Sequence, residues 1–187
     1  MKLSWNQKLF FKINDQLGKR PIIDKIVGWV AQYGIYVHFL LIGFYLFLSF
    51  FSSNWLYPLL LAYVLIMLGL LFFSFIISWL IGYLFPQRRP IIEFPHSQEL
   101  FTPLSDWKSF PSDHTMVSFL SAEVLYLLVQ PITYVTMIIP IGFFLLAFMI
   151  GLSRVYAGVH YPNDVIGGIL VAIFVFSMFI FFTSIIL

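Results

Sequence analysis

The sequence has no cysteine, and only 10% of its residues are charged. Without cysteine the chain forms no disulfide bonds and no thiolate metal sites, and the redox compartment stays unassigned. Soluble domains are about one quarter charged and about half apolar. This chain is 61% hydrophobic with a mean hydropathy of +0.97. Its excess apolar surface is therefore expected to face lipid, which predicts an integral membrane protein.

Linkers, internal repeats and a recognisable signal peptide are also missing. Because no low-complexity tract divides the 187 residues, a single domain covering residues 1–187 is predicted. The N-terminal sequence MKLSWNQKLFFKIND lacks an apolar core followed by a small-residue cleavage site. It is therefore not expected to be a signal peptide.

Five apolar segments are long enough to cross a bilayer, which takes about 20 residues for a hydrocarbon core of about 30 Å. They predict an all-α fold, a polytopic membrane helix bundle with about five spans. A polar stretch, residues 85–111, separates the second span from the third. The predicted spans cover residues 26–51, 55–84, 112–129, 132–152 and 162–187.

The residues before the first span place apolar side chains at near-helical spacing, with Lys8, Lys12 and Asp15 between them. This pattern favours an N-terminal amphipathic helix that lies in the membrane interface. A first span that simply extends into water is an equally good alternative. The apolar residues of the pattern are Trp5, Leu9, Ile13 and Leu17.

The number of spans fixes which loops share a membrane face. With five spans, all ten Lys and Arg residues and seven of the eight acidic residues lie on the face of the N-terminus. The exception is Glu123, nine residues beyond His114 and therefore about 13 Å deeper along a helix. At that depth Glu123 is expected either to take part in chemistry or to stabilise the interior, protonated or paired with His38.

Polar residues suited to phosphate chemistry lie at the span ends of this face. Ser112 precedes an apolar run, as an N-cap does, and a helix N-terminus attracts an anion. Arg154 can bind phosphate oxygens through two parallel hydrogen bonds. His160 lies four residues before Asp164, whose carboxylate would orient one imidazole nitrogen and make the other a better nucleophile. Taken singly, each cluster also fits an ordinary helix end.

Together the clusters supply positive charge, a nucleophile and an acid for a leaving group, which are the parts that phosphoryl transfer needs. Arg88 and Arg89 add charge upstream, and His114 adds a second imidazole. No group of carboxylates resembles a Mg²⁺ site, so a reaction without metal or cofactor is predicted. No nucleic-acid partner is expected, and the oligomeric state stays open.

The order of these motifs resembles the membrane-bound type 2 phosphatidic acid phosphatases, also called lipid phosphate phosphatases. The matching segments are Arg89-Pro90, Pro111-Ser112-Asp113-His114, and Ser153-Arg154 through His160 to Asp164. The string FPSDHT at residues 110–115 is similar to the bacterial undecaprenyl pyrophosphate phosphatases of the bacitracin-resistance type, because most other members have Gly in place of Asp113. Many members have Lys at the position of Gly82, where Arg88 or Gln87 is the candidate replacement.

The resemblance implies that His160 attacks phosphorus and forms a phosphohistidine while Asp164 orients its ring. His114 would protonate the departing oxygen and then activate water. The phosphate would be held by basic side chains and by groups at a helix N-terminus. These phosphate-binding residues are Arg88, Arg89, Arg154, Ser112 and Asp113.

The implied activity is hydrolysis of undecaprenyl pyrophosphate, an isoprenoid lipid of the membrane, which recycles the lipid carrier of peptidoglycan synthesis. A phosphatase for phosphatidic acid or phosphatidylglycerophosphate is one alternative, and a non-catalytic lipid-binding or transport protein is another. The positive-inside pattern would place the site in the cytoplasm. The resemblance implies the extracytoplasmic face of the cell membrane, and that face is the prediction.

Overall fold

Helices make up all of the regular structure in the part of the chain that the computed structural model describes, residues 3–52, 56–103, 107–129 and 134–186. The all-α prediction is confirmed. In chain order the helices are α1 (Trp5–Asn14), α2 (Pro21–Ser52), α3 (Leu56–Leu84), α4 (Pro90–Glu93), α5 (Asp113–Val129), α6 (Tyr134–Tyr156) and α7 (Pro162–Ile186).

The long helices coincide with the predicted spans. Among the described residues, four helices are long and apolar enough to cross a membrane, and they lie within α2, α3, α6 and α7. The remaining predicted span, residues 112–129, corresponds to α5, which has 17 residues. The protein is thus a multi-pass membrane protein. Three parts of the prediction lie outside the described residues: one of the ten basic residues, Lys2, and most or all of the short connections 52–54 and 130–131 between predicted spans.

Helix α5 lies at the centre of the bundle and packs against α2, α3, α6 and α7. From Thr115 to Leu125 its side chains are buried, apart from the half-buried Phe119. Since every side of α5 faces protein, the helix has no single apolar stripe. Within a bilayer such a helix is held by van der Waals packing and interhelical hydrogen bonds rather than by removal from water.

Glycines on α7 let the segment before α5 approach the helix backbone. A Cβ atom on Gly168 would lie 2.6 Å from the Ser112 carbonyl oxygen, and one on Gly167 would lie 2.3 Å from the Phe110 ring. Real Cβ atoms do not come so close to other atoms. The start of α5 therefore lies directly against the first turns of α7, which carry Asp164 and follow His160.

Helix α1 is a separate element rather than an extension of the first span, because the chain turns at Gly18, whose φ is +83°. A capping box between Ser4 and Gln7 begins the helix. Its buried residues are Phe10 and Asn14, whereas Trp5 is exposed. The predicted helix is present, but its most buried face packs on the protein beside the polar loops.

Candidate active site

A cavity of about 350 Å³ lies at one end of the bundle and collects residues from all three sequence motifs. Arg89 comes from the segment before α4, His114 from the first turn of α5, and Arg154 and His160 from the end of α6 and the following turn. The remaining lining residues are Gln32, Tyr33, Tyr36, Phe101, Thr102, Pro103, Lys108, Pro111 and Asp113.

The start of α7 positions the His160 ring. Pro162 is the first residue of the helix, as suits a residue without an N–H group. Asp164, in the first turn, accepts a hydrogen bond on Oδ2 from the Tyr161 backbone N–H at 2.8 Å. The same oxygen lies 3.2 Å from His160 Nδ1 and accepts from the Ser109 hydroxyl. Asp164 thus orders the helix start and the imidazole together.

The second nitrogen of His160 is the one available for chemistry. Because Nδ1–H donates to Asp164, the Nε2 lone pair is left to face a substrate. Nε2 lies 3.4 Å from Arg89 Nη1, and Arg89 Nη1 also donates to the Val159 carbonyl at 2.8 Å. The imidazole and the guanidinium therefore converge on the same point in the cavity.

Burial lowers the pKa of His160 below its ordinary value of 6.5, and Asp164 acts in the opposite direction. The positive charges of Arg154 and Arg89 lower the pKa further. A ring in this setting stays neutral at physiological pH, which is the form that a nucleophile needs.

Arg154 is buried but keeps hydrogen-bonding capacity. Its Nη1 donates to the Ala31 carbonyl at 2.6 Å, and its guanidinium lies 5.1 Å from the centre of the Phe101 ring. Its Nε has no hydrogen-bond partner among the described residues. A buried cation with an unused donor is costly unless an anion binds it, so the position suits a phosphate oxygen.

The other predicted phosphate ligands are placed differently. Arg88 is exposed and does not line the cavity. Ser112 is fully buried, its Oγ accepts from the Thr115 hydroxyl at 3.1 Å, and it does not line the cavity either. The Asp113 side chain does line it. The phosphate-binding assignments of these three residues, like those of Arg89 and Arg154, stay predictions.

Lys108 is a site residue that sequence reasoning missed. It is 8% exposed and lines the cavity. Its Nζ lies 2.7 Å from Asp113 Oδ1 and also donates to the Ser78 hydroxyl. Its stem fills the space beside Gly82, where a Cβ atom would lie 2.7 Å from Lys108 Cδ. Lys108, rather than Arg88, therefore lies against the position where relatives were expected to carry Lys.

The remaining histidines lie away from the cavity lining. His38, inside the bundle, has its Nε2 2.8 Å from the Ser121 hydroxyl. No hydrogen bond among the described residues joins it to Glu123, so the suggested pair is not observed. His96 is exposed and stacks on the Phe11 ring at 5.5 Å. Among the described residues no group of three or more His, Cys, Asp or Glu side chains is arranged to hold a metal ion.

Known proteins resemble this chain in both sequence and fold. Residues 55–185 match the sequence profile of the PAP2 superfamily. The chain is 28% identical over 176 residues to the bacitracin transport permease protein BcrC of Bacillus licheniformis, and the matched residues cover 93% of this chain and 78% of that relative. It is 27% identical over 180 residues to the undecaprenyl-diphosphatase BcrC of Bacillus subtilis, and the matched residues cover 96% of this chain and 84% of that relative.

Two solved structures share the fold. The crystal structure of Aquifex aeolicus LpxE matches with a TM-score of 0.65 and 31% identity, covering 95% of each chain. A PAP2-type phosphatidylglycerolphosphate phosphatase from Bacillus subtilis matches with a TM-score of 0.66 and 22% identity, covering 97% of this chain and 87% of that one. The second likeness concerns the fold alone.

Proposed function

The chain belongs to the PAP2 superfamily and is a membrane phosphatase, and from this premise we propose that it hydrolyses undecaprenyl pyrophosphate to the monophosphate and inorganic phosphate. The proposal rests above all on the His160–Asp164 pair, whose second imidazole nitrogen lies 3.4 Å from Arg89 Nη1 in a cavity shared with His114 and Arg154. One relative carries the name undecaprenyl-diphosphatase, and this supports the substrate class.

The proposed reaction has two steps. His160 Nε2 attacks the terminal phosphorus, a P–N bond forms, and the bond to the bridging oxygen breaks. His114 donates a proton to that oxygen, which leaves as the lipid monophosphate. His114 then takes a proton from water, the hydroxide attacks the phosphohistidine, and inorganic phosphate departs while His160 is regenerated. Arg89 and Arg154 stabilise the charge on the transferred phosphoryl oxygens in both steps.

Two alternatives remain distinct from this proposal. A lipid phosphomonoester substrate, such as phosphatidic acid or phosphatidylglycerophosphate, would use the same site and the same covalent step. The second alternative is a protein that transports a ligand without hydrolysing it, because one relative is named a transport permease. This second alternative would leave the buried, oriented nucleophile without a role. We place the site on the extracytoplasmic face, where a spent lipid carrier would be met.

Phosphate release by the purified protein tests the proposal. Undecaprenyl pyrophosphate and phosphatidic acid are supplied in detergent to the wild type and to His160→Ala. We expect turnover of the pyrophosphate by the wild type and none by the variant. The matched control is His96→Ala, because His96 is exposed and lies outside the cavity, and it should keep wild-type turnover. Hydrolysis of phosphatidic acid alone, or full turnover by His160→Ala, would contradict the proposal.

A further inference from the structure

A second cavity, the apolar groove, adjoins the active site. It has a volume of about 730 Å³ and is lined by Phe72, Phe75, Ile76, Trp79, Arg89, Trp107, Lys108 and Asp113. Four of these residues follow one side of α3, and Phe72 and Trp79 are more than half exposed on the outer surface of the bundle. The lining from residue 72 to residue 79 extends about 10 Å along the helix.

Three residues line both cavities. Among the described residues, Arg89, Lys108 and Asp113 belong both to the apolar groove and to the cavity that contains His160. An elongated molecule with an anionic head beside His160 and an apolar tail in the groove must therefore pass these three side chains. The groove is continuous with the site, and positive charge is located where they meet.

Lys108 is held in place by two hydrogen bonds, which leave a third N–H group for a ligand. Two of its N–H groups bond to Asp113 Oδ1 and to the Ser78 hydroxyl, and an ammonium group has three. Ser78 also donates to Asp113 Oδ1 at 2.6 Å, which closes a small network. Gly82 leaves the space that the Lys108 stem occupies. The ammonium is thus fixed at the boundary between groove and cavity rather than free to move in solvent.

We propose that Lys108, held by Asp113 and Ser78, binds the lipid-side phosphate of a diphosphate substrate while the apolar groove holds the first isoprenoid units of its tail. This inference rests on the proposed function. The terminal phosphate is assigned to Arg89, Arg154 and His160, so the next phosphate toward the tail lies nearer to Lys108. The carboxylate of Asp113 is compatible with an anionic substrate because Lys108 compensates its charge.

Selectivity between two lipids that share one tail tests the role of Lys108. A monophosphate places its only phosphorus at His160, whereas a diphosphate also uses Lys108. We expect Lys108→Met, which keeps the apolar stem beside Gly82, to lower kcat/KM for farnesyl diphosphate at least about tenfold. For farnesyl monophosphate, which meets only the uncompensated Asp113 carboxylate, the loss should be smaller by at least about threefold. Lys12→Met, at an exposed position on α1, is the matched control and should leave both values unchanged.

The outcomes separate this inference from the proposed function. If the wild type hydrolyses no diphosphate, the proposed function fails. If it hydrolyses the diphosphate but Lys108→Met loses equal activity on both lipids, or none on either, only the role of Lys108 fails. Lys108→Arg keeps the charge and should retain most of the preference for diphosphate. A loss of preference as large as that of Lys108→Met would also overturn the inference.

Filling the groove tests its occupant. Ile76→Trp places a large ring among the groove residues, and we expect it to raise KM for farnesyl diphosphate several-fold. For isopentenyl diphosphate, whose single isoprenoid unit reaches less far, KM should stay unchanged. Ile141→Trp, at an exposed position on α6 outside both cavities, is the matched control. Equal effects of Ile76→Trp on the two substrates would show that the tail lies elsewhere.

Discussion

At the scale of single residues, Oδ2 of Asp164 accepts hydrogen bonds from three groups, which are the His160 ring, the Tyr161 N–H and the Ser109 hydroxyl. Asp164 is fully buried, so no water replaces these contacts if the carboxylate changes. The spacing from His160 to Asp164 was enough to predict the pair. The Ser109 contact was not predictable, because it joins residues whose proximity depends on how the polar loop folds back on α7.

Replacing Asp164 should shift the pH dependence as well as the rate. The wild-type acid limb of kcat/KM should lie below pH 6.5, because burial lowers the His160 pKa and the ring must be neutral to attack. Asp164 raises that pKa, so in Asp164→Asn the fall of kcat/KM on the acid side should occur at still lower pH. The rate should fall about 10²-fold or more, since the ring is no longer oriented.

Rates measured from pH 4 to pH 8 would check this prediction. Asp15→Asn, at an exposed position after α1, is the control and should keep both the rate and the limb of the wild type. A limb that moves to higher pH in Asp164→Asn would contradict the proposed role of the carboxylate.

Removal of divalent metal should leave turnover unchanged within about twofold. In the proposed mechanism the positive charge comes from Arg89 and Arg154, both buried at the cavity, because guanidinium groups can stabilise a transferred phosphoryl group. Phosphate release in excess EDTA, followed by addition of Mg²⁺, is the measurement. A loss of activity that Mg²⁺ restores would show that the predicted metal-independent reaction is wrong.

Lys108 marks the limit of residue-level prediction. The sequence motifs pointed to Arg89, His114, Arg154 and His160, because their residue types and spacings have a direct chemical meaning. Lys108 lies in the same polar stretch, but its relation to Gly82 exists only in the folded chain, where its stem occupies the missing side chain's space. A lysine five residues before Asp113 was the available signal, and it was read only as one of the ten basic residues on this face.

At the scale of elements, the spans could be predicted well because membrane helices need long uninterrupted apolar runs. Four predicted spans begin or end within a few residues of α3, α5, α6 and α7. The packing of α1 was harder to foresee. Asn14 is buried because its amide donates to the Gln98 carbonyl and accepts from the Gln98 N–H, and such contacts between distant segments leave no periodic signal in the sequence.

The contact between α5 and α7 predicts a strong effect of one methyl group. Gly168→Ala places its Cβ 2.6 Å from the Ser112 carbonyl oxygen, so backbone must shift, and overpacking of this kind costs about 1–3 kcal/mol. Thermal unfolding in detergent should show a lower Tm, with reduced turnover because the shift moves the start of α5. Gly142→Ala on α6, with nothing within 4 Å of its new Cβ, should be neutral or stabilising. Equal Tm values for the two variants would contradict this account.

At the scale of the whole molecule, the cavity lies at the end of the bundle where α2, α5 and α7 begin and α3 and α6 end. The sequence predicted this convergence through the parity of the spans, because an even number of crossings returns the chain to the same face. It could not predict the apolar groove. That groove depends on how Trp107 folds against α3, where its ring lies 6.2 Å from the Trp79 ring.

The basic residues bear directly on the orientation of the molecule in the membrane. Helix α1 lies on the same end as the cavity, since Phe10 packs on Tyr161 with ring centres 5.2 Å apart. Lys8 and Lys12 on α1 therefore share a face with the site. The positive-inside pattern would place that face in the cytoplasm, whereas the proposed hydrolysis of undecaprenyl pyrophosphate is expected on the outer face. Both cannot hold, so an accessibility experiment decides between them.

A single cysteine gives a clean probe because the chain has none. Gln98 uses its backbone for its contacts with Asn14 and its side chain is exposed, so Gln98→Cys should preserve the fold and the activity. We expect a membrane-impermeant maleimide to label it on intact cells. Ser184→Cys, near the end of α7 and thus at the opposite end of the bundle, should be labelled only after lysis. The reverse pattern would place the site in the cytoplasm, and a substrate presented at the inner leaflet would then have to replace undecaprenyl pyrophosphate generated outside.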